Sequence, residues 1–244
     1  MERSFDLIVF GATGFTGHLV AGYLQATYGA AGGLRWALTG RDAAKLATVR
    51  DAIGARATLP LLTADASDVD ALAALAARTR VILTTVGPYQ LHGETLVLAC
   101  ARAGTDYVDL CGEPAWMAKM IPCLQPIAAQ SGARIVFSCG FDSIPFDLGV
   151  VFLQDEALRR FGRQLSRVRG RVRVLKGGPS GGTIASLLAT IEQMRPDPSV
   201  ARTMADPFAL TPGFCGPAQP EGESAIYDER AQSWTGPFVM APIN

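Results

Sequence analysis

Four side chains that could donate a proton follow short apolar runs in the middle of the chain. Tyr89 and His92 come after TTVGP, Glu113 follows DLCG, and Asp142 follows SCGF. A tyrosine, histidine or carboxylic acid at such a place can protonate an acceptor that receives a hydride. Structural alternatives are a packing aromatic for Tyr89, an exposed loop residue for His92 and a helix-start charge for Glu113. We predict Tyr89, Glu113 and Asp142 as catalytic candidates.

A turn with regularly spaced glycines, VFGATGFTGHLV, occupies residues 9–20. Gly11, Gly14 and Gly17 stand three residues apart between an apolar run and a helical pattern. In a strand–turn–helix unit, such glycines let backbone N–H groups and a helix N-terminus approach a pyrophosphate. The alternative is a glycine-rich connection with no ligand. Because this turn would join the first strand to the first helix of a parallel sheet, we predict a dinucleotide site.

The end of the second predicted strand, LTGRD, indicates which dinucleotide is bound. NAD-selective sites usually carry an acid here for the ribose hydroxyl, whereas an arginine suits a 2′-phosphate. In this chain Thr39 ends the strand and Arg41 follows it, while Asp42 is predicted to be the N-cap of the next helix. A solvated surface arginine is the alternative for Arg41. The pattern favours NADP(H).

Asp65 is a further candidate contact to the nucleotide. It ends the third predicted strand in the run TADAS, where it could meet an adenine amino group. Alternatively it belongs to the turn itself, because Ser67 and Asp70 form a capping-box pattern at the start of the next helix. Both interpretations stay open at this point.

The elements that would position these residues alternate between short apolar runs and helical patterns. Continuous apolar runs are typical of strands that helices cover on both faces of a parallel sheet. Strands are predicted over residues 5–10, 34–39, 59–63, 81–86, 107–110 and 134–138, and helices over 16–28, 43–53, 69–77, 94–103 and 115–131. We therefore predict an α/β fold with a Rossmann-type, doubly wound parallel sheet whose strand carboxyl ends form the site.

The pattern changes after residue 146, and we predict a domain boundary there. Residues 1–148 would bind the nucleotide, and residues 149–244 would form part of a second α/β domain for substrate binding or dimerisation. Helical patterns cover 147–161 and 183–194, and the alternation RVRGRVRV at 167–174 predicts a strand with four arginines on one face. Those arginines could receive carrier phosphates or an anionic membrane surface, and a solvated sheet face is the alternative.

The composition of the chain and the motifs that it lacks argue against several classes of function. Lys plus Arg and Asp plus Glu number 22 each, so net charge gives no preference for nucleic acid. No apolar run approaches the roughly 20 residues of a membrane-spanning helix. Five scattered cysteines without CxxC spacing indicate a reducing, cytoplasmic compartment and no structural zinc. The missing Tyr-x-x-x-Lys, GxSxG and HExxH patterns argue against short-chain dehydrogenase, serine hydrolase and zinc protease mechanisms.

At GATGFTG, ALTGRDAAKL, TTVGPYQLHGE, YVDLCGE, FSCGFDSIPFDLG and SGGTIAS, the sequence resembles the saccharopine dehydrogenase-like oxidoreductases, most closely their trans-acting enoyl reductase branch. The resemblance implies an N-terminal Rossmann domain, a second α/β domain and a C-terminal segment that returns to the first. Cofactor contacts implied by it are Gly11, Thr13, Gly14, Phe15, Thr16, Arg41 and Gly87, to which the residue pattern adds Gly17 and Asp65. Family chains continue past the final PFVMAPIN, so we expect a truncated second domain with exposed apolar surface.

We predict an NADP(H)-dependent oxidoreductase that reduces an enoyl or keto group on a lipid-type substrate, either a small molecule or linked to a carrier. Enoyl reduction would place a hydride on the β-carbon and a proton on the α-carbon. One alternative is a non-catalytic NADP(H)-binding scaffold or regulator, and another is a saccharopine-type imine or amino-acid oxidoreductase. We expect no nucleic-acid partner, transmembrane segment or metal, and leave a homodimer and peripheral membrane association open.

Overall fold

The structure, a computed structural model, describes residues 3–29, 32–217, 224–236 and 238. Within them six strands form one sheet in the order β3-β2-β1-β4-β5-β6, and all neighbouring strands are parallel. These strands are β1 (Phe5–Phe10), β2 (Trp36–Gly40), β3 (Leu61–Thr63), β4 (Thr79–Thr84), β5 (Asp106–Val108) and β6 (Ile135–Val136). The order reverses between β1 and β4, which confirms the predicted doubly wound sheet and opens a crevice at that junction.

The helices connect these strands and continue after them. They are α1 (Phe15–Tyr28), α2 (Ala43–Ala52), α3 (Val69–Ala77), α4 (Tyr89–His92), α5 (Glu94–Ala103), α6 (Pro114–Ser131), α7 (Ile144–Phe161), α8 (Gly181–Met194) and α9 (Pro198–Ala205). The bounds of β1, α3 and α5 are as predicted, and the other predicted sheet strands and helices differ by three residues or fewer at either end. The short helix α4 was not predicted.

Both faces of the sheet are covered, which explains why β1 and β2 consist largely of apolar residues. In β1, Ile8 packs into a cluster with side chains from α3, α5 and α6, such as Leu72 and Leu96. Its neighbour Val9 packs into a second cluster with Ala21 of α1 and side chains of α2. Successive residues of a strand point to opposite faces, so each face of β1 needs an apolar residue.

The predicted arginine strand at 167–174 was wrong. These residues have no strand conformation and pair with no other strand among the described residues. Arg171 Nη2 instead lies 2.6 Å from Oδ2 of Asp228, and Arg169 Nη1 lies 3.6 Å from the same oxygen. Val174, which a regular strand would place opposite the arginines, is 71% exposed. Alternation of arginine and apolar residues shows only that a strand here would have two different faces. A strand also needs a neighbouring strand for its backbone hydrogen bonds.

Two elements after residue 195 were not predicted. Helix α9 begins at the Pro198 of a region that is rich in proline and glycine, with Asp197 Oδ1 accepting from Ser199 N at 2.8 Å as its N-cap. A hairpin pairs β7 (Ile226–Asp228) with β8 (Ser233–Thr235) in antiparallel register. The predicted domain boundary stays a prediction, and PFVMAPIN at 237–244 lies outside the described residues except for Phe238.

Large apolar side chains are exposed along α7 and α8, as expected from the resemblance. They include Leu148, Val151, Phe152 and Phe161 on α7 and Ile184, Leu187, Leu188 and Ile191 on α8. Among the helices of the described residues, none combines the length and the apolar character that crossing a membrane requires.

Candidate cofactor-binding and active site

The turn after β1 is held against both neighbouring strands. Gly11 N donates to Thr39 O at 2.9 Å, and Thr85 N donates to Phe10 O at 2.9 Å. Gly11 has a φ of +90°, and a Cβ at this position would lie 2.6 Å from Cγ2 of Val86. Both the backbone conformation and the lack of space require glycine here.

Gly17 lets the first helix approach this turn closely. A Cβ on Gly17 would overlap the carbonyl oxygen of Gly11 and lie 2.8 Å from Cα of Ala12. Gly14 N donates to the same Gly11 oxygen at 3.0 Å and forms the N-cap of α1. Gly11 therefore permits the tight turn, and Gly17 permits the close packing of α1 on it.

The N-terminus of α1 has no side-chain cap. In contrast, α2 and α3 have Asp42 and Asp68 as N-caps, and these carboxylates accept from Ala44 N at 2.9 Å and Ala71 N at 3.0 Å. Gly14 offers no such group, and the first turn of α1 contains no acidic residue. The first N–H groups of α1 and the positive end of its dipole are therefore available to an anion beside the glycine turn.

The end of β2 carries the predicted arginine beside the predicted acid. Arg41 is exposed, and its charge helps to lower the pKa of Asp65, although hydrogen bonds from Ser67 have the larger effect. His92, exposed at the end of α4, lowers the same pKa further. The predicted N-cap role of Asp42 is confirmed. Arg41 and His92 thus both act on the Asp65 carboxylate at the carboxyl edge of the sheet.

Asp65 belongs to a turn, as its alternative interpretation stated. Its Oδ1 accepts from Ser67 N at 2.9 Å and from Ser67 Oγ at 2.6 Å. The predicted capping box of Ser67 and Asp70 was wrong, because Asp68 is the N-cap of α3. Since Ser67 is already bound to Asp65, the next acid along the chain caps the helix.

Glu113 is buried and bridges three elements. Its carboxylate accepts from Tyr89 N at 2.8 Å and Gln90 N at 2.8 Å, both in the first turn of α4, and from Ser186 Oγ of α8 at 2.7 Å. Glu113 precedes Pro114 at the start of α6, but its side chain makes no cap hydrogen bond to that helix. The carboxylate therefore fixes α4, and with it the Gly87 loop, relative to α8.

The Tyr89 hydroxyl is likewise engaged within the protein. It donates to Thr84 O at 3.3 Å and accepts from Leu110 N at 3.1 Å, so it joins the ends of β4 and β5. Burial is the main cause that raises the pKa of Tyr89 far above its ordinary value. The hydroxyl therefore stays protonated over the physiological pH range.

Asp109, for which the sequence predicts no role, lies at the centre of a buried network. It accepts from Tyr107 Oη at 2.9 Å, Cys111 N at 3.0 Å and Ser138 N at 2.8 Å, and is 1% exposed. Burial raises the pKa of Asp109 to about 6. The signal available in the sequence was an acid directly after a buried strand. Asp109 ties the end of β5 to the loop that contains Asp142.

Asp142 differs from the other candidate acids. It is half-buried in the loop after β6, and its carboxyl has no hydrogen-bond partner among the residues that the structure describes. Burial raises the pKa of Asp142 above its ordinary value. In the described residues its carboxyl group is therefore not engaged by another side chain or backbone group. In the described ranges, no three His, Cys, Asp or Glu side chains are grouped so that they could hold a metal ion.

Comparison with known proteins shows which family has this arrangement. Residues 7–136, which run from β1 to β6, match the family described as the saccharopine dehydrogenase NADP binding domain. The chain belongs to this family. The predicted cofactor, NADP(H), is confirmed by that membership.

Relatives of this saccharopine dehydrogenase-like chain are trans-acting enoyl reductases, as the resemblance implied. It is 46% identical over 252 residues to a Mycobacterium tuberculosis protein named as a candidate trans-acting enoyl reductase, covering 99% of this chain and 59% of that protein. It is 41% identical over 254 residues to the trans-acting enoyl reductase of Mycobacterium bovis, covering 100% of this chain and 60% of that protein. The chain thus spans about three fifths of these relatives' length.

A solved structure shows the same fold. The apo, histidine-tagged saccharopine dehydrogenase (L-Glu forming) from Saccharomyces cerevisiae matches with a TM-score of 0.50 and 21% sequence identity. The match covers 64% of this chain and 32% of that one. The predicted Rossmann architecture is therefore confirmed.

The residues of this saccharopine dehydrogenase NADP binding domain fit a dinucleotide. A pyrophosphate needs a close backbone approach and N–H donors, which the Gly11 turn and the uncapped start of α1 provide. A 2′-phosphate needs a cation near the end of β2, where Arg41 is exposed. Neither requirement conflicts with a side chain present at these positions.

Proposed function

We propose that this chain is the nucleotide-binding part of an NADPH-dependent oxidoreductase that reduces an enoyl group on a lipid-type substrate, whether free or carrier-linked. The observation that carries the proposal is the 40–46% identity, over almost the whole chain, to trans-acting enoyl reductases. The site supports it by combining a dinucleotide cradle with acids at the same edge of the sheet.

The cofactor would be held by the residues already predicted. Backbone groups of Gly11, Thr13, Gly14, Phe15, Thr16 and Gly17 would hold the pyrophosphate. Arg41 would bind the 2′-phosphate, with Asp65 limiting where the guanidinium can lie. The Gly87 loop would face the nicotinamide half, because it follows β4 on the far side of the topological switch. When bound, NADPH supplies the hydride.

Asp142 would donate the proton to the α-carbon. A general acid has to carry its proton at the working pH, and burial favours the protonated form of Asp142. Tyr89 and Glu113 have their acidic groups engaged in hydrogen bonds within the protein. They would act as positioning residues, holding α4 and the ends of β4 and β5 around the nicotinamide.

The test follows consumption of NADPH at 340 nm with a long-chain 2-enoyl thioester, and identifies the saturated thioester by mass spectrometry. Asp142→Asn is expected to lower kcat by about a hundredfold or more, the usual effect of a general acid, with the Kd for NADPH unchanged. Asp147→Asn, an exposed acid in the first turn of α7, is the matched control and keeps full activity.

Two outcomes contradict the proposal in different ways. Tight NADPH binding without turnover of any enoyl thioester or lipid-linked enone indicates a scaffold or regulator. If Asp142→Asn keeps full activity and Tyr89→Phe is inactive, then Tyr89 and not Asp142 is the proton donor.

A further inference from the structure

Helix α8 contacts the nucleotide-binding part through polar side chains on one of its faces. Ser186 and Thr190 are four residues apart and therefore share a face of the helix. Ser186 Oγ donates to Glu113 Oε1 at 2.7 Å, and Thr190 Oγ1 accepts from Gln90 Nε2 at 3.2 Å. Both side chains are half-buried, whereas the large apolar side chains of α8 are exposed. These two hydrogen bonds therefore join α8 to α4 and to the start of α6.

Ser186 shares its acceptor with the helix that follows the Gly87 loop. Glu113 Oε1 also accepts from Tyr89 N at 2.8 Å, and Tyr89 begins α4 two residues after Gly87. Ser186 lies beside Gly87 itself, because a Cβ added to Gly87 would be 3.6 Å from Ser186 Oγ. The Ser186 hydroxyl therefore closes one side of this loop.

The Glu113 carboxylate depends on its hydrogen-bond donors because it is buried. Glu113 is 3% exposed, and its donors are Tyr89 N, Gln90 N and Ser186 Oγ. A buried carboxylate that loses a donor retains the cost of its desolvation. Two of the donors belong to α4, so only the Ser186 hydroxyl ties the carboxylate to α8. Its removal would leave Glu113 one donor short and α4 without its shorter connection to α8.

We propose that Ser186 is a positioning residue for the nicotinamide half of the NADP(H) site. It lies beyond residues 7–136, the segment that matches the NADP binding domain. The inference rests on the proposed placement of the Gly87 loop beside the nicotinamide. Ser186 acts through Glu113, whose carboxylate holds the first turn of α4 and thereby the orientation of that loop. Because coupling between two sites is reciprocal, bound NADPH should in turn hold α8 in place.

The test compares NADPH with adenosine 2′,5′-bisphosphate, which has the 2′-phosphate but no nicotinamide. Ser186→Ala is expected to raise the Kd for NADPH about fivefold or more, because a hydrogen bond to a charged group is lost. The Kd for adenosine 2′,5′-bisphosphate should change less than about twofold, since this ligand would contact only the glycine turn and the end of β2. Calorimetric titration measures both constants, and general misfolding would raise both.

Thr183→Ala is the matched control on the same helix. Thr183 is exposed, and its hydroxyl lies 3.1 Å from Ser180 Oγ at the start of α8. The change removes a hydroxyl from α8 without touching the contact with Glu113. Both dissociation constants should therefore stay as they are in the unchanged protein.

If Ser186→Ala does not fold, hydrogen exchange of the unchanged protein decides. NADPH should then slow the exchange of the α8 amides more than saturating adenosine 2′,5′-bisphosphate does, and equal exchange would contradict the proposal. For a folded variant, an unchanged Kd for NADPH or equal increases for both ligands would contradict it. None of these readouts requires turnover, so a protein that shows them but reduces no enoyl group contradicts only the proposed function.

Discussion

At the scale of single residues, Arg41 should separate the two dinucleotides. Arg41→Ala is expected to raise the Kd for NADPH about tenfold or more, because a hydrogen-bonded arginine–phosphate pair contributes about 1.5–3 kcal/mol. The Kd for NADH should change less than about twofold, since NADH has no 2′-phosphate. Fluorescence titration with each nucleotide measures both constants.

Arg56→Ala is the matched control for this change. Arg56 is exposed at the opposite end of the sheet, near the start of β3, and should leave both dissociation constants unchanged. If Arg41→Ala weakens NADPH and NADH binding equally, Arg41 does not recognise the 2′-phosphate.

Asp109 should make stability fall as pH rises. Its pKa is about 6 in the folded protein against 3.8 for the free side chain, so between these values only the folded state holds the proton. The free energy of unfolding therefore decreases from about pH 4 to pH 6, by a contribution on the order of 2 kcal/mol. Urea unfolding at several pH values should show this decrease for the unchanged protein and lose it for Asp109→Asn.

Asp106, at the start of the strand that Asp109 follows, makes stability change with pH in the opposite direction. A hydrogen bond from Arg134 lowers the pKa of Asp106, so its contribution to stability is lost as pH falls. Asp106→Asn should leave the Asp109-dependent decrease in place. A decrease that survives Asp109→Asn would show that another group causes it.

At the scale of elements, two glycines of α1 should respond in opposite ways to substitution by alanine. Gly17 packs against the glycine turn, whereas Gly22 has space for a side chain. Gly17→Ala is expected to lower the free energy of unfolding by about 1–3 kcal/mol, because the new Cβ overlaps the Gly11 carbonyl. Gly22→Ala should be neutral or stabilise by about 0.5–1 kcal/mol, since its Cβ would lie 4.0 Å from the nearest atom, Cγ2 of Ile53. Chemical denaturation of both variants measures the difference, and equal effects would contradict the packing role.

The elements show which parts of the fold could be predicted. A continuous apolar run such as residues 7–10 of β1 indicates a buried strand without knowledge of its neighbours, because helices must cover both its faces. The alternation at 167–174 indicates a strand only if a partner exists, and the partner depends on distant residues. The N-caps show the same limit, since Asp42 was identified correctly while Asp68 was missed because Asp65 occupies Ser67.

The candidate site could be predicted only in part for a similar reason. The glycine turn is local, so its shape follows from residues 11–17. The partners of Glu113 are 23, 24 and 73 positions away, and no local pattern pairs its carboxylate with Ser186. The sequence also does not indicate that the Tyr89 hydroxyl forms hydrogen bonds with Thr84 and Leu110. Nor does it indicate that the Asp142 carboxyl has no hydrogen-bond partner among the described residues.

At the scale of the whole molecule, apolar surface is concentrated on α7 and α8. Replacing Leu148 and Phe152 of α7, which are 57% and 68% exposed, with serine should clearly reduce the fluorescence of a bound apolar dye. Val69→Ser changes an isolated side chain on α3 with 59% exposure and should have little effect. An unchanged Kd for NADPH verifies that the nucleotide-binding part is intact, and equal dye binding by all variants would contradict a concentrated apolar surface.

The glycine turn also determines when the nucleotide site can exist during folding. Thr85 donates a hydrogen bond to Phe10 O at the end of β1, 75 positions earlier in the chain. Thr39 O of β2 accepts a hydrogen bond from Gly11 N. A growing chain that ends before residue 79 contains the whole glycine motif but not β4, one of the two strands against which the turn rests. NADPH can therefore stabilise only molecules in which β1, β2 and β4 have already joined. NADPH therefore stabilises the assembled sheet and has no effect on the earlier pairing of its strands.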